Sequence, residues 1–113
     1  MIVRKKRTLA LELTTSNQDI YTVPSRFNTD VYSIYINNSS TSTVTFSLDW
    51  YDSANTTYHT LAETVELQPN SLLQITDYPV FLGKNDKIRG LASVNSAVNI
   101  SIAVEEHYDT SAL

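Results

Sequence analysis

Residues 43–51 alternate almost strictly, with Val44, Phe46, Leu48 and Trp50 in one phase and Thr45, Ser47, Asp49 and Tyr51 in the other. A period of two puts these sets on opposite faces of an extended strand, and no helix reproduces that separation. The pattern returns at residues 97–106, where Val98, Ile100, Ile102 and Val104 oppose Asn99, Ser101, Ala103 and Glu105. Residues 30–37 place Tyr32, Ile34 and Ile36 on one expected face and Val31, Ser33 and Tyr35 on the other. A shorter run, Ile20, Tyr21, Thr22 and Val23, is bounded by Asn17-Gln18-Asp19 and by Pro24-Ser25. Pro24 has no N–H for a central ladder, so that strand ends there. Further strands are expected at 57–67, bent near Leu61-Ala62, and at 71–76, 79–82 and 87–94. Turn-formers separate them: Asn37-Asn38-Ser39-Ser40, Asp52-Ser53-Ala54-Asn55, Pro69-Asn70-Ser71 and Gly83-Lys84-Asn85-Asp86. With two glycines in the chain, left-handed turn positions fall largely to Asn and Asp.

β-branched and aromatic residues crowd the apolar positions, and breakers arrive too often for an amphipathic helix. The chain is therefore read as all-β, an antiparallel β-sandwich of jelly-roll-like form with seven to nine short strands. A closed barrel satisfies the same periodicity. Phe46, Leu48, Trp50, Ile100 and Ile102 hold the inward phase of the two most regular strands and are the expected core. For Trp50 that phase favours the core over a sugar-stacking platform on the surface.

At 113 residues there is room for one core. Charge divides it unevenly: Arg4, Lys5, Lys6 and Arg7 are four of the eight basic residues, and everything after them carries the twelve Asp and Glu. The expected organisation is a basic N-terminal arm at 1–8, a sandwich at 9–108 and a C-terminal tail at 109–113. Such an arm is either a solvated terminus or a segment that docks on an acidic surface of a neighbouring copy, with Glu105, Glu106 and Asp109 as its carboxylates. Nucleic acid is not an expected partner, because an acidic body repels phosphates. Glu12 interrupts the only signal-like start, so export is not expected. No apolar run approaches roughly 18 residues, so no membrane-spanning helix is expected.

Motifs for chemistry are absent. There is no cysteine, hence no disulfide and no thiolate metal site. His59 and His107 fall in different strands without metal-ligand spacing. Asp49 and Asp52 are an odd number of residues apart on one strand and point to opposite faces, unlike a glycosidase pair. Neither a nucleophile elbow nor a phosphate loop appears. Sequons at Asn37, Asn38, Asn55 and Asn99 are expected by chance in a chain rich in Asn, Ser and Thr. The reading is a non-enzyme with no catalytic residue, no metal and no cofactor. Its surface candidates are residues 4–7 and the tyrosines Tyr35, Tyr51 and Tyr58.

The stretch LTTSNQDIYTVPSRFNTDVYSIYINNSS, the body VTFSLDWYDSANTTYHTLAETVELQPNSLLQITDYPVFLGKNDKIRGLAS and the end VNISIAVEEHY together resemble small virion structural proteins of tailed bacteriophages. The likeness runs from Leu13 to Tyr108 and lies in the order of a Thr-Val-Pro strand end, an Asn-Asn-Ser close, a Pro-Asn-Ser turn, a Leu-Gly hairpin and a terminal strand with Glu105. Two departures touch loops: Lys84-Asn85 separates Gly83 from Asp86, and Arg26-Phe27-Asn28 replaces a Gly-Thr turn. The resemblance implies a virion protein assembled in the host cytoplasm, first of all a capsid decoration or cement protein bound as a symmetric oligomer. Its implied partners are other copies of itself and the major capsid protein, or neck and tail proteins. A neck, tail or fibre-attachment piece is the alternative within the class. A glycan-binding module displayed on the virion, working through exposed Tyr and polar loops, is the alternative outside it.

Overall fold

A computed structural model describes residues 1–75 and 79–109, with nothing described of the Asp109 side chain. Within them nine strands run in the order β1 (Ile2–Glu12), β2 (Gln18–Thr22), β3 (Asn28–Asn38), β4 (Val44–Asp52), β5 (Thr57–Leu67), β6 (Leu72–Ile75), β7 (Val80–Leu82), β8 (Lys87–Ala92) and β9 (Val98–Asp109). They form two antiparallel sheets. The first is ordered β1-β9-β3-β6, with β7 also pairing β3, and the second is ordered β2-β8-β4-β5. The first strand lies beside the last, and most connections carry the chain from one sheet to the other, as in a jelly-roll-like sandwich.

The alternating residues close the space between the sheets. Phe46, Leu48 and Val44 from β4 meet Ile100, Ile102, Val98 and Val104 from β9, with Ile34, Ile36 and Ile88 completing a dry centre. Trp50, in the same phase, sits nearer the end of the sandwich and is half-buried against this core. Gly90 lets β8 and β4 close up: a Cβ there would lie 2.7 Å from both Leu48 Cδ2 and the Ser47 carbonyl oxygen.

Two strands depart from simple alternation. On β3 a bulge opposite β9 falls between Val31 and Ser33. The extra residue resets the phase, so Val31, Ile34 and Ile36 point inward while Tyr32 is exposed. Its expected partnership with Ile34 and Ile36 is thereby corrected. On β5 the register against β4 shifts twice, between Phe46 and Leu48 and between Leu48 and Asp49. The expected bend near Leu61-Ala62 lies there, and Thr64 turns the corner with φ 49°.

Residues 2–8, expected as an arm, are continuous with the sandwich. They form most of β1, whose eleven residues pair with β9 from Ile2↔Asp109 to Glu12↔Asn99. The reason is the length of β9: it runs past the expected end of its alternation and offers β1 an unbroken edge. The expected tail beyond Asp109 lies outside the described residues, as does residue 76 of the strand expected at 71–76.

Candidate assembly surfaces

Glu105 and Glu106 are adjacent on β9, so their side chains leave opposite faces of the first sheet. Both are nonetheless buried, at 6% and 2% exposure. A buried carboxylate is costly unless donors surround it, and each has its own set. On the outer face Arg4 Nη1 donates to Glu105 Oε1 at 2.8 Å, while His107 Nε2 lies 3.3 Å from Asp30 Oδ1. Tyr32 stands over the same ground. Partial desolvation first, then the charges of Glu105 and Asp30, push its hydroxyl above the usual tyrosine range.

On the inner face the Tyr21 hydroxyl, arriving from the second sheet, donates to Glu106 Oε2 at 2.5 Å. It sits 2.8 Å from Thr29 Oγ1, itself fully buried. Arg7 Nη1 reaches within 3.7 Å of Glu106 Oε1 from the sheet edge. Burial above all, and the hydrogen bond to Glu106 after it, push the Tyr21 hydroxyl far above its ordinary value.

The structure thus joins Arg4 and Arg7 to Glu105 and Glu106, the expected counter-charges, within one chain. Lys5 and Lys6 stand opposite Glu106 and Glu105 in the ladder, yet among the described residues neither makes an ion pair. Nothing is described of the Asp109 carboxylate.

The three candidate tyrosines do not form one surface. Tyr51 and Tyr58 face each other across β4 and β5 on the outside of the second sheet, ring centroids 4.7 Å apart. Arg89 lies 3.5 Å over the Tyr58 ring and is held by Asp49 at 3.1 Å. Lys87 sits over Tyr51 at 5.8 Å and pairs with Asp19 at 3.2 Å. Tyr35 belongs to the first sheet, between Ser101 and Gln74. Asp49 and Asp52 go separate ways, as their spacing requires. Asp52 accepts from Asn55 Nδ2 at 2.8 Å and lies 3.6 Å from His59 Nε2, and the Asn55 hydrogen bond leads in holding its carboxyl below the usual range. His59 in turn stacks on Trp50 at 4.7 Å.

Sequence reasoning did not find Tyr21, Thr29 or Arg89. Each acts through a partner at least eight residues away on another strand, which periodicity does not register. Phe81, on the short edge strand β7, is 69% exposed and was likewise not singled out. Among the described residues no three His, Cys, Asp or Glu side chains gather as metal ligands.

No family model and no characterised sequence matches the chain. Solved structures do. A chain from the Bacillus endospore appendages, described as a family of disulfide-linked pili, is 15% identical, with 95% of this chain and 87% of that one covered and a TM-score of 0.54. A chain from the acid-stable capsid of Helicobacter pylori bacteriophage KHP30 is 12% identical over 95% and 91%, with a TM-score of 0.53. One from the virus-like particle of the extra small virus of the prawn Macrobrachium rosenbergii is 11% identical over 96% and 80%, with a TM-score of 0.50. At these identities the likeness is one of fold.

Proposed function

We propose that this chain is a virion structural protein and, more specifically, a capsid decoration or cement protein that binds the shell as a symmetric oligomer. The sandwich is a rigid block, and its task is to present edges and faces rather than to convert a substrate. The fold likeness to subunits of two capsid particles and a pilus supports the class. Lacking cysteine, this chain has no counterpart to the pilus's disulfide links, so its attachments do not use them.

The observation that carries the finer reading is β1. It is a long, unbulged strand at the edge of the first sheet, and among the described residues no strand pairs with its other side. Arg4 and Arg7 are spent on the chain's own buried carboxylates, which leaves Lys5 and Lys6 to meet a partner's acidic groups. The partners are other copies of this chain and the major capsid protein; neck or tail proteins take that place in the alternative.

Copy number in purified virions is the test. Decoration requires hundreds of copies, a neck or tail ring only about a dozen by closed symmetry, and absence from the particle overturns both. A Lys5→Gln/Lys6→Gln variant is expected to stay folded yet be lost from the shell, because it removes both charges without breaking an internal ion pair or setting new carboxylates opposite Glu106 and Glu105.

A further inference from the structure

A cleft of about 850 Å³ opens at the end of the sandwich where the β2–β3, β4–β5 and β7–β8 connections meet. That is within the size range of small-molecule sites. Its frame is built around Asp86, which is buried. One carboxylate oxygen accepts the Ser53 N–H at 2.9 Å and the other the Gly83 N–H at 2.8 Å. The Asp86 carbonyl accepts the Val23 N–H at 2.9 Å, so a single residue ties all three connections together. Each also contains a non-glycine residue in the left-handed region: Arg26 at φ 76°, Thr56 at 53° and Asn85 at 66°. Arginine is rarely found there, and Arg26 belongs to the lining.

The hydrogen-bond inventory of this cleft is one-sided. Both oxygens of Asp86 are occupied, and Asp52 is engaged by Asn55 and His59. Ser25, Arg26, Asn28, Lys84 and Asn85 line the same space, and their side chains make no hydrogen bond or ion pair within the described residues. Between them the guanidinium, the ammonium and two amides supply many more donors than acceptors. The site therefore suits a ligand rich in oxygen acceptors. Two acids balance the two bases, which fits a ligand with one anionic group among neutral hydroxyls and disfavours a polyanion. Phe27 adds an apolar wall, its ring packed edge-on to Tyr108 at 4.7 Å.

We infer that this cleft binds an acidic saccharide, its carboxylate held by Arg26 and Lys84 and its hydroxyls by Asn28, Asn85 and Ser25. The tyrosine face of the second sheet is the poorer site, because Arg89 already covers the Tyr58 ring. This inference does not depend on where in a virion the chain sits.

The test is a titration of the full ¹⁵N-labelled chain with galacturonate, which carries one carboxylate, its methyl ester and inorganic phosphate, read as amide shift changes. Galacturonate is expected to shift residues 25–28, 52–54 and 83–86 at millimolar concentration, with the ester and phosphate binding more weakly. Lys84→Gln and Arg26→Asn, the latter chosen because Asn tolerates the left-handed backbone, are each expected to weaken binding about fivefold while leaving the rest of the spectrum in place. No shift at those residues, equal binding of the ester or of phosphate, or unchanged affinity in both variants overturns the inference.

Discussion

The ladder between β1 and β9 has two halves held by different physics. Toward Glu12, Leu9 and Leu11 lean on the core opposite Ile102 and Ile100, and the strand stays because apolar area leaves water. Toward Ile2, residues 4–8 are all exposed, and the opposing stretch of β9 carries the two buried glutamates. Here the strand stays because Arg4 and Arg7 answer those carboxylates. One half is insensitive to salt; the other answers to it. A strand edge meant to work against a partner is better built the second way, since ion pairs at a surface exchange at little cost.

The contrast is sharpest in the core. Phe46→Ala removes a side chain that is 1% exposed and is expected to cost about 3–5 kcal/mol; Ile102→Ala, in the apolar half of the ladder, is expected to cost about 2–5 kcal/mol. Urea denaturation checks both, and a loss below about 1 kcal/mol for either would mean that the inward phase is misassigned.

Gly90→Ala comes next. The new methyl meets backbone as well as Leu48, so the strands must part, at about 1–3 kcal/mol by the same measurement. In the ionic half, Glu106→Ala leaves the buried Tyr21 hydroxyl without its acceptor and is expected to cost about 1–3 kcal/mol. If Glu106→Ala proves as costly as Phe46→Ala, the division between the halves fails.

Tyr21 also sets an alkaline limit. Its hydroxyl titrates higher in the folded chain than in the unfolded one, so the folded state holds the proton more tightly. The stabilisation is complete below the unfolded value of about 10 and declines as pH rises beyond it. Tyr21→Phe is expected to flatten that decline in thermal melts between neutral pH and pH ~11. Asp52 works in the opposite sense: its lowered value contributes stability at neutral pH that is lost as acid titrates the folded carboxylate.

The smallest expected effect is of salt. Screening weakens exposed Arg4 and Arg7 far more than the core, so hydrogen exchange at amides 2–8 is expected to quicken with added salt while amides 9–12 hold. Equal acceleration of both halves would erase the distinction. Deletion of residues 2–7 is a poorer probe than it looks from the sequence, because it strips the cations from Glu105 and Glu106 together with any contact to a partner.

Alternation and turn chemistry were local, and they were enough to read the all-β sandwich, the bend in β5 and the inward phase of Phe46, Leu48, Ile100 and Ile102. The phase of Tyr32 was not legible, since a bulge is a property of two paired strands and only one is visible at a time in the sequence. For the same reason residues 2–7 read as a floppy charged run: nothing nearby in the chain announces that β9, about a hundred residues on, offers its edge. The polar contacts follow the same logic. Tyr21 is an ordinary strand residue until the sandwich closes it over Glu106, and Asp86 is an ordinary turn residue until three connections arrive around it. A period of two determines which face a side chain takes, because it depends only on backbone geometry. Which strand lies beside which, and so which charges meet, depends on backbone hydrogen bonds that are the same for every residue type, and only the closed tertiary structure decides it.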